Sequence, residues 1–448
     1  MVPDDGNDKV DRLPVVVTDL LGTSKLLGVP SGTGEATAAA VVQCLTEWNL
    51  QHKVVGMSFD TTASNTGASR GACAILQQQL NRTLFHFSCR HHILELVLEA
   101  AFGKCFGLSS GPDISLFKRF QTAWKSIDRT KFDPMTGDDL ESSIASIFSN
   151  CNMQVVSSCT NKLQSAQPHD DYRELLELTI TVLGGCPPRG FKFIRPGALH
   201  RARWMARALY GIKIFLFRKQ FPLTRSELNS LKKFIPFVVT VYVPAWFSAS
   251  SAVAAPAGDL KFLQNLVSYT DIDIATVTSH KFSNHLWYLS EHHAGLSLFD
   301  SCVAVDEKRK MVVALNQASK ANPQSRVHLD ISDKTSIANK TVADFITSTS
   351  RKFFEAFDVN MDFLEKDPTE WEDDPIFQSS LKLVSGISVI NDFAERAVAL
   401  IQDYNQLLTK DEQQRQFLLQ VVEWHRHHFP DANKHKQGHR INPSTSKQ

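Results

Sequence analysis

The sequence predicts an α/β sheet of mixed direction interrupted by a large all-α insertion, in a chain that is predominantly helical overall. Three observations predict it. Residues 12–106 alternate short apolar runs with helix-like runs. Strand signals nearly vanish over 107–384, where apolar residues recur at helical spacing. Helical patterns return over 385–428.

Residues 1–11 are polar and turn-rich and are expected to be a disordered start. Strands are expected at Arg12–Asp19, Lys25–Val29, Lys53–Phe59 and Thr83–Ser88. Gly22-Thr23-Ser24 reads as a hairpin turn between the first two. Glu35–Leu50 is rich in Ala, Val and Leu at helical spacing, and Ala68–Leu80 reads as a second helix. In the helical block the periodicity predicts helices over Ile114–Ile127, Asp171–Val182, Ala198–Phe217, Thr224–Tyr242, Asp259–Val267, Asn284–Phe299 and Asp306–Lys320. Thr341–Asp358 is amphipathic, with Phe345, Phe353, Phe354 and Phe357 on or near one face. Glu365–Pro375 is acidic and reads as an exposed linker. Ser385–Tyr404 and Lys410–His427 are the last expected helices, and the polar tail 429–448 is expected to be disordered.

The 448 residues leave room for about two or three domains. The net charge of +1 excludes a strongly basic nucleic-acid coat, though not a local basic groove. The 8 cysteines show no CxxC pair and no regular spacing. With no targeting pattern at the start, they point to reduced thiols in a nuclear or cytoplasmic protein. No apolar run reaches the ~18 residues of a membrane span. The nearest, Phe234–Phe247, contains Pro236 and Pro244 and reads as one or two buried helices.

The stretch Val54–His92 carries the most chemistry. An apolar run, Val54-Val55-Gly56-Met57-Ser58-Phe59, ends in Asp60, followed by Thr61, Thr62, Ser64 and Asn65. A carboxylate at the C-terminal end of a buried strand is held rigidly at the edge where open α/β sheets place their chemistry. The same pattern also fits an Asx-type turn. A second apolar run, Thr83–Phe87, leads into Cys89-Arg90-His91-His92.

Four pieces stand in order: Phe59-Asp60-Thr61-Thr62-Ala63-Ser64-Asn65, Cys89-Arg90-His91-His92, Arg203-Trp204, and Asn391-Asp392-Phe393-Ala394-Glu395-Arg396. This set resembles the transposases of hAT-type DNA transposons. The resemblance covers most of the chain, from about residue 12 to 425. It implies an RNase H-like core interrupted by a helical insertion before the last catalytic acid. It implies that Asp60 and Glu395 would be catalytic carboxylates and metal ligands, and that Mg²⁺, weakly held or vestigial, would be the cofactor. DNA is the implied partner, with a protein partner as the other expectation.

The residues themselves leave alternatives open. Glu395 also reads as a solvated acid on a helix face. Glu291, in Trp287-Tyr288-Leu289-Ser290-Glu291-His292-His293, is a rival third acid. Cys89 and His92 have metal-ligand spacing, with His86 and His91 nearby, but a zinc site needs four good ligands. A structural role for Cys89 and His92 is expected, and zinc is not. Arg201, Arg203 and Arg207 have the chemistry to grip phosphates, and Trp204 to stack on an extruded base. A buried Trp beside a solvated basic face fits the same pattern.

The family also needs a first catalytic Asp on a strand lying between the second and fourth strands of the sheet. Arg12–Asp19 looks like the second strand, so the first one, with its acid, is expected to be missing. The expectation is a transposase remnant with a gap in its sheet and impaired catalysis. The alternative is a domesticated, non-enzymatic scaffold that binds DNA or protein.

Overall fold

The computed structural model describes residues 2–3, 9–10, 15–19, 24–28, 35–67, 70–107, 114–139, 142–168, 170–197, 205–317 and 329–391. The described chain is predominantly helical, with short strands. It divides into two compact units: Met1–Phe85 with Gly386–Gln448, and the unbroken run His86–Ser385. The sequence reading drew its first boundary at residue 106. The division falls earlier because the helix starting at Arg90 packs on helices of the second unit.

In the first unit, β1 (Val2–Pro3) pairs antiparallel with β2 (Lys9–Val10), so the expected disordered start includes a short ladder. β3 (Val15–Thr18) and β4 (Ser24–Gly28) form an antiparallel hairpin, with Val16 opposite Leu26. β5 (Gly56–Phe59) is paired with β6 (Phe85–Ser88), the strand at whose first residue the division falls, and the Phe85 N–H donates to Val55 O at 2.9 Å. Among the described residues the strands thus form three two-stranded ladders, not the single mixed sheet expected. No described strand pairs with both the hairpin and the β5–β6 ladder, so hydrogen bonding has nothing to carry it across.

Helix α1 (Glu35–Glu47) follows the hairpin. Its alanines favour helix, and Asn49 at φ 53° ends it in the left-handed region. Val15 and Leu27 of the hairpin pack with Cys44 and Leu45 of α1. Trp48 Nε1 donates to Leu27 O at 3.2 Å and ties the helix end to β4. Helix α2 (Ala63–Thr66) is a single turn after β5, and α3 (Ala72–Leu80) follows it. Ala38 of α1 packs with Ala72 and Leu76 of α3 and with Leu84. α1 therefore lies between the hairpin and α3.

The second unit is built around α4 (Arg90–Phe106), whose Ile93, Val97, Leu98 and Ala101 are fully buried. Next come α5 (Ser115–Ala123), α6 (Ser142–Lys162), α7 (Asp170–Val182) and α8 (Ala206–Leu216). α9 (Arg225–Phe237) opens with a capping box between Thr224 and Glu227. It passes through a π-turn at Val238–Tyr242 into α10 (Val243–Ser248). Pro236 cannot donate a backbone hydrogen bond, and the π-turn follows it directly. Phe234, Ile235, Phe237, Val238 and Trp246 are all buried, as expected for an apolar run too short to cross a membrane. Among the described residues no helix is long and apolar enough to cross a membrane. α12 (Ile272–Ser283) packs on α4, and α11 (Ala255–Val267) packs on α12. The sequence reading missed α6 and α12. The α12 start was legible in Asp271, whose side chain accepts from the Asp273 and Ile274 N–H groups.

Three expected elements differ. Asn284–Phe299 is not a helix but a series of turns ending in a 3₁₀ segment, Ala294–Phe299. Leu286, Trp287, Tyr288 and Leu289 are all buried, and four consecutive side chains do not fit one helix face. Thr341–Asp358 is broken into 3₁₀ segments before a short helix at Arg351–Ala356, because Thr341 caps with Asp344 and Thr347 with Ser350, restarting the backbone twice. Its phenylalanines 345, 353, 354 and 357 are nonetheless all buried. The acidic stretch Glu365–Pro375 is not a free linker. Trp371 is 1% exposed and lies 5.1 Å from the Phe363 ring, while Lys366 and Arg309 neutralise Asp374 and Asp367. The remaining helices are α13 (Val305–Asn316), α14 (Lys334–Asn339), α15 (Arg351–Ala356) and α16 (Pro375–Ser385). Residues 386–391 are not helical, although a helix was expected from Ser385. The expected helix Lys410–His427 and the tail 429–448 lie outside the described residues.

Candidate functional site

Asp60 stands just past the end of β5 and is half-buried. Its Oδ1 accepts from the Thr62 N–H at 3.1 Å, the Thr62 hydroxyl at 2.6 Å and Asn65 Nδ2 at 2.7 Å. The first of these closes an Asx turn, the alternative reading of this stretch. Asp60 does not cap α2, however; Thr62 occupies that position. Three donors on one oxygen fix the carboxylate plane, and Oδ2 takes no hydrogen bond from any described residue. The turn is closed behind Asn65 by Gly67 and Gly71. A Cβ on Gly71 would meet Gly67 O at 2.5 Å, so only glycine fits there. Burial, and then the Asp60 charge, pushes the Cys73 thiol on α3 up to about 12, so that cysteine is inert.

A carboxylate with one oxygen oriented by neutral donors and the other open is the arrangement a metal ligand needs. One carboxylate does not hold Mg²⁺ tightly. Among the described residues no three potential ligands cluster. Glu395, the second expected ligand, lies outside the described residues, as do Arg201, Arg203 and Trp204.

Cys89 and His92 frame the start of α4. Cys89 is 0% exposed and sits at the N-cap position, while His92 is half-buried. The residues between them make the strongest contacts. Arg90 Nη2 and Nε reach Asp259 Oδ1 at 2.6 and 3.0 Å, and Nη1 donates to Ala249 O at 2.8 Å. Both side chains are buried, and burial pushes the Asp259 carboxyl up against the opposing pull of Arg90. The cavity beside this pair measures about 20 Å³, the size of a water site rather than a substrate site. His91 stacks on Trp246 with ring centroids 3.8 Å apart, and its Nε2 lies 3.0 Å from Trp246 O. The Cys-Arg-His-His stretch is therefore a packing hub of the helical unit.

Arg207 is paired with Glu99 of α4 at 2.6 Å. Just before it, Met205 takes φ 61° and its N–H donates to Glu95 Oε1 at 2.8 Å. Tyr242 donates to the same oxygen at 2.5 Å. Burial raises the Glu95 carboxyl, with the Tyr242 hydrogen bond opposing. The turn after Trp204 is thus anchored to α4 by a buried acid that sequence reasoning overlooked. Glu291 is bound within the helical unit, with Oε2 accepting from the Thr347 hydroxyl at 2.7 Å.

Another group missed from sequence is a histidine cluster. His293 lies 5.3 Å from the Phe87 ring, and its Nδ1 is 2.9 Å from the Ser290 hydroxyl oxygen. Burial, reinforced by the neighbouring histidines, lowers His293 to about 3. Burial, with help from His292, lowers His86 to about 4. Adjacent His292-His293 was visible in the sequence, but nothing local announced that His86 would join it. No family model, curated protein or solved structure matches the chain.

Proposed function

We propose that the chain derives from a hAT-type DNA transposase, that Asp60 occupies the position of an RNase H-like catalytic acid, and that the 448-residue polypeptide binds DNA with little or no cleavage. The observation that carries this reading is the Asp60 turn: an acid at a strand end, oriented through Oδ1 by Thr62 and Asn65, with Oδ2 open. The ordered motifs support it. So does the separation of the β3–β4 hairpin from the β5–β6 ladder, the pair of elements that would flank a central first strand. The impaired activity is inferred from chemistry. Two-metal phosphodiester cleavage needs several carboxylates, and among the described residues no three potential ligands cluster.

The test has two arms. Purified full chain is incubated with hairpin or nicked DNA in Mg²⁺ or Mn²⁺, beside Asp60→Ala. No cleavage that depends on Asp60 is expected, and such cleavage would overturn the impairment. A crystal structure that resolves residues 386–428 tests the ancestry. The Asp60 and Glu395 carboxylates should lie within roughly 4–8 Å, the reach of a shared metal pair. Placement of Glu395 far from Asp60 would end the transposase reading.

The non-enzymatic scaffold is the second reading, favoured by the pairing of Arg207 with Glu99 and of Glu291 with Thr347 within the helical unit. It expects Asp60→Ala to leave DNA binding unchanged, while Arg203→Ala and Trp204→Ala weaken it.

A further inference from the structure

The extended segment 191–197 lies beside α5 on the surface of the helical unit. Its backbone is held from within: Lys213 Nζ donates to Ile194 O at 2.9 Å, and Gln121 Nε2 and Tyr210 OH donate to Gly197 O at 3.1 and 2.5 Å. Phe193 turns inward to within 4.9 Å of the Phe217 ring. Phe191 does not follow it. It is 47% exposed, braced on one side by Phe132 at 4.8 Å. Ile194 is 48% exposed beside it. Two large apolar side chains are thus exposed on one hydrogen-bonded segment.

Two cations lie on this segment. Lys192 and Arg195 are exposed, and neither meets a carboxylate among the described residues. The nearby acids are occupied: Glu177 pairs with Arg189, Asp133 with Lys219, and Asp128 with Thr130 and Lys131.

We propose that this surface binds single-stranded nucleic acid, with Phe191 as the base-stacking platform and Lys192 and Arg195 on the phosphates. Stacking needs a base already out of its duplex, and an extended segment with one exposed ring presents a face to such a base rather than a helix to a groove. The inference stands apart from Asp60 and uses none of the residues of the Arg203-Trp204 motif.

The test is fluorescence anisotropy of the full chain with a labelled oligothymidylate of ~20 nucleotides, without divalent metal, across a salt series. Two phosphate contacts predict a log–log salt slope of about −1.4. Lys192→Ala with Arg195→Ala should remove most of that slope. Phe191→Ala should weaken binding about 5- to 150-fold and leave the slope unchanged. Phe191→Leu keeps an apolar contact with Phe132 but loses the flat face, and should weaken binding as well. Ile272→Ala, at a 72% exposed apolar site elsewhere in the unit, should change nothing. Matching thermal midpoints establish that each variant is folded. The proposal is overturned by no binding at low salt, or by binding that ignores both Phe191 variants. Competition by polyglutamate as effective as by oligothymidylate would assign the surface to an acidic peptide instead. If these variants bind normally while Trp204→Ala does not, this surface is excluded and the DNA-binding reading survives.

Discussion

Asp60 and Asp259 are two carboxylates handled in opposite ways. Asp60 is half-buried, and its bonds are made within five residues by neutral donors that occupy one oxygen. Asp259 is buried, and its partner Arg90 comes from a helix 169 residues away. The first arrangement orients a charge while leaving it free to meet something else. The second neutralises a charge so that two helices can pack. Placement in the chain does not separate these roles, because each acid lies close to the start of a helix. Partner charge and burial separate them.

The largest expected effect falls on Asp259. Asp259→Ala strands a buried guanidinium and should cost about 3–5 kcal/mol in urea unfolding. The double change Arg90→Met with Asp259→Leu should recover most of that loss, since an apolar pair of similar volume replaces a buried ion pair with little penalty. A single-mutant cost below about 1 kcal/mol would place Asp259 among ordinary surface acids and erase the contrast.

The next effect is acid sensitivity of the helical unit. His86 and His293 are held neutral in the fold at about 4 and about 3, while in the unfolded chain they titrate near 6.5. Their folded values are depressed, so the unfolded chain binds more protons between these limits. Stability is complete above pH ~6.5 and falls as the pH drops toward the folded values. The expected loss is about 2 kcal/mol per histidine at pH 5. Urea titrations at pH 7 and pH 5 measure it, and His293→Leu should flatten the dependence. A stability independent of pH over this range would show that the cluster is hydrated and not buried.

The smallest effect is expected at Asp60. Asp60→Ala removes a local turn and no buried charge pair, and should cost about 0.5–2 kcal/mol, the scale of a capping residue. A cost matching that of Asp259→Ala would make Asp60 a structural acid and remove the main support for a site there.

The sequence announced the Asp60 turn because everything that builds it is contiguous: an apolar strand, an acid, then Thr62, Asn65 and the glycines. Fixed-period patterns likewise gave α1, α7 and the buried run through Pro236. The sequence misread Glu365–Pro375 as a linker because its acids outnumber Trp371, and only the packed structure reveals that one aromatic residue anchors the segment. It read Asn284–Phe299 as a helix because the apolar residues are dense there, and density does not distinguish a helix from a buried chain of turns.

Cys89-Arg90-His91-His92 marks the boundary between the two kinds of information. Local chemistry suggested metal-ligand spacing, whereas Arg90 and His91 became the anchors of a helical core. Sequence alone determined the helical character of most of the chain, the early strands and the placement of an acid at a strand end, because these depend on periodicity and on neighbours a few residues away. Tertiary structure alone decided which charges are paired, which histidines are kept from protons and which aromatic ring is left at the surface. Those outcomes depend on burial and on partners more than a hundred residues distant, and no local pattern encodes them.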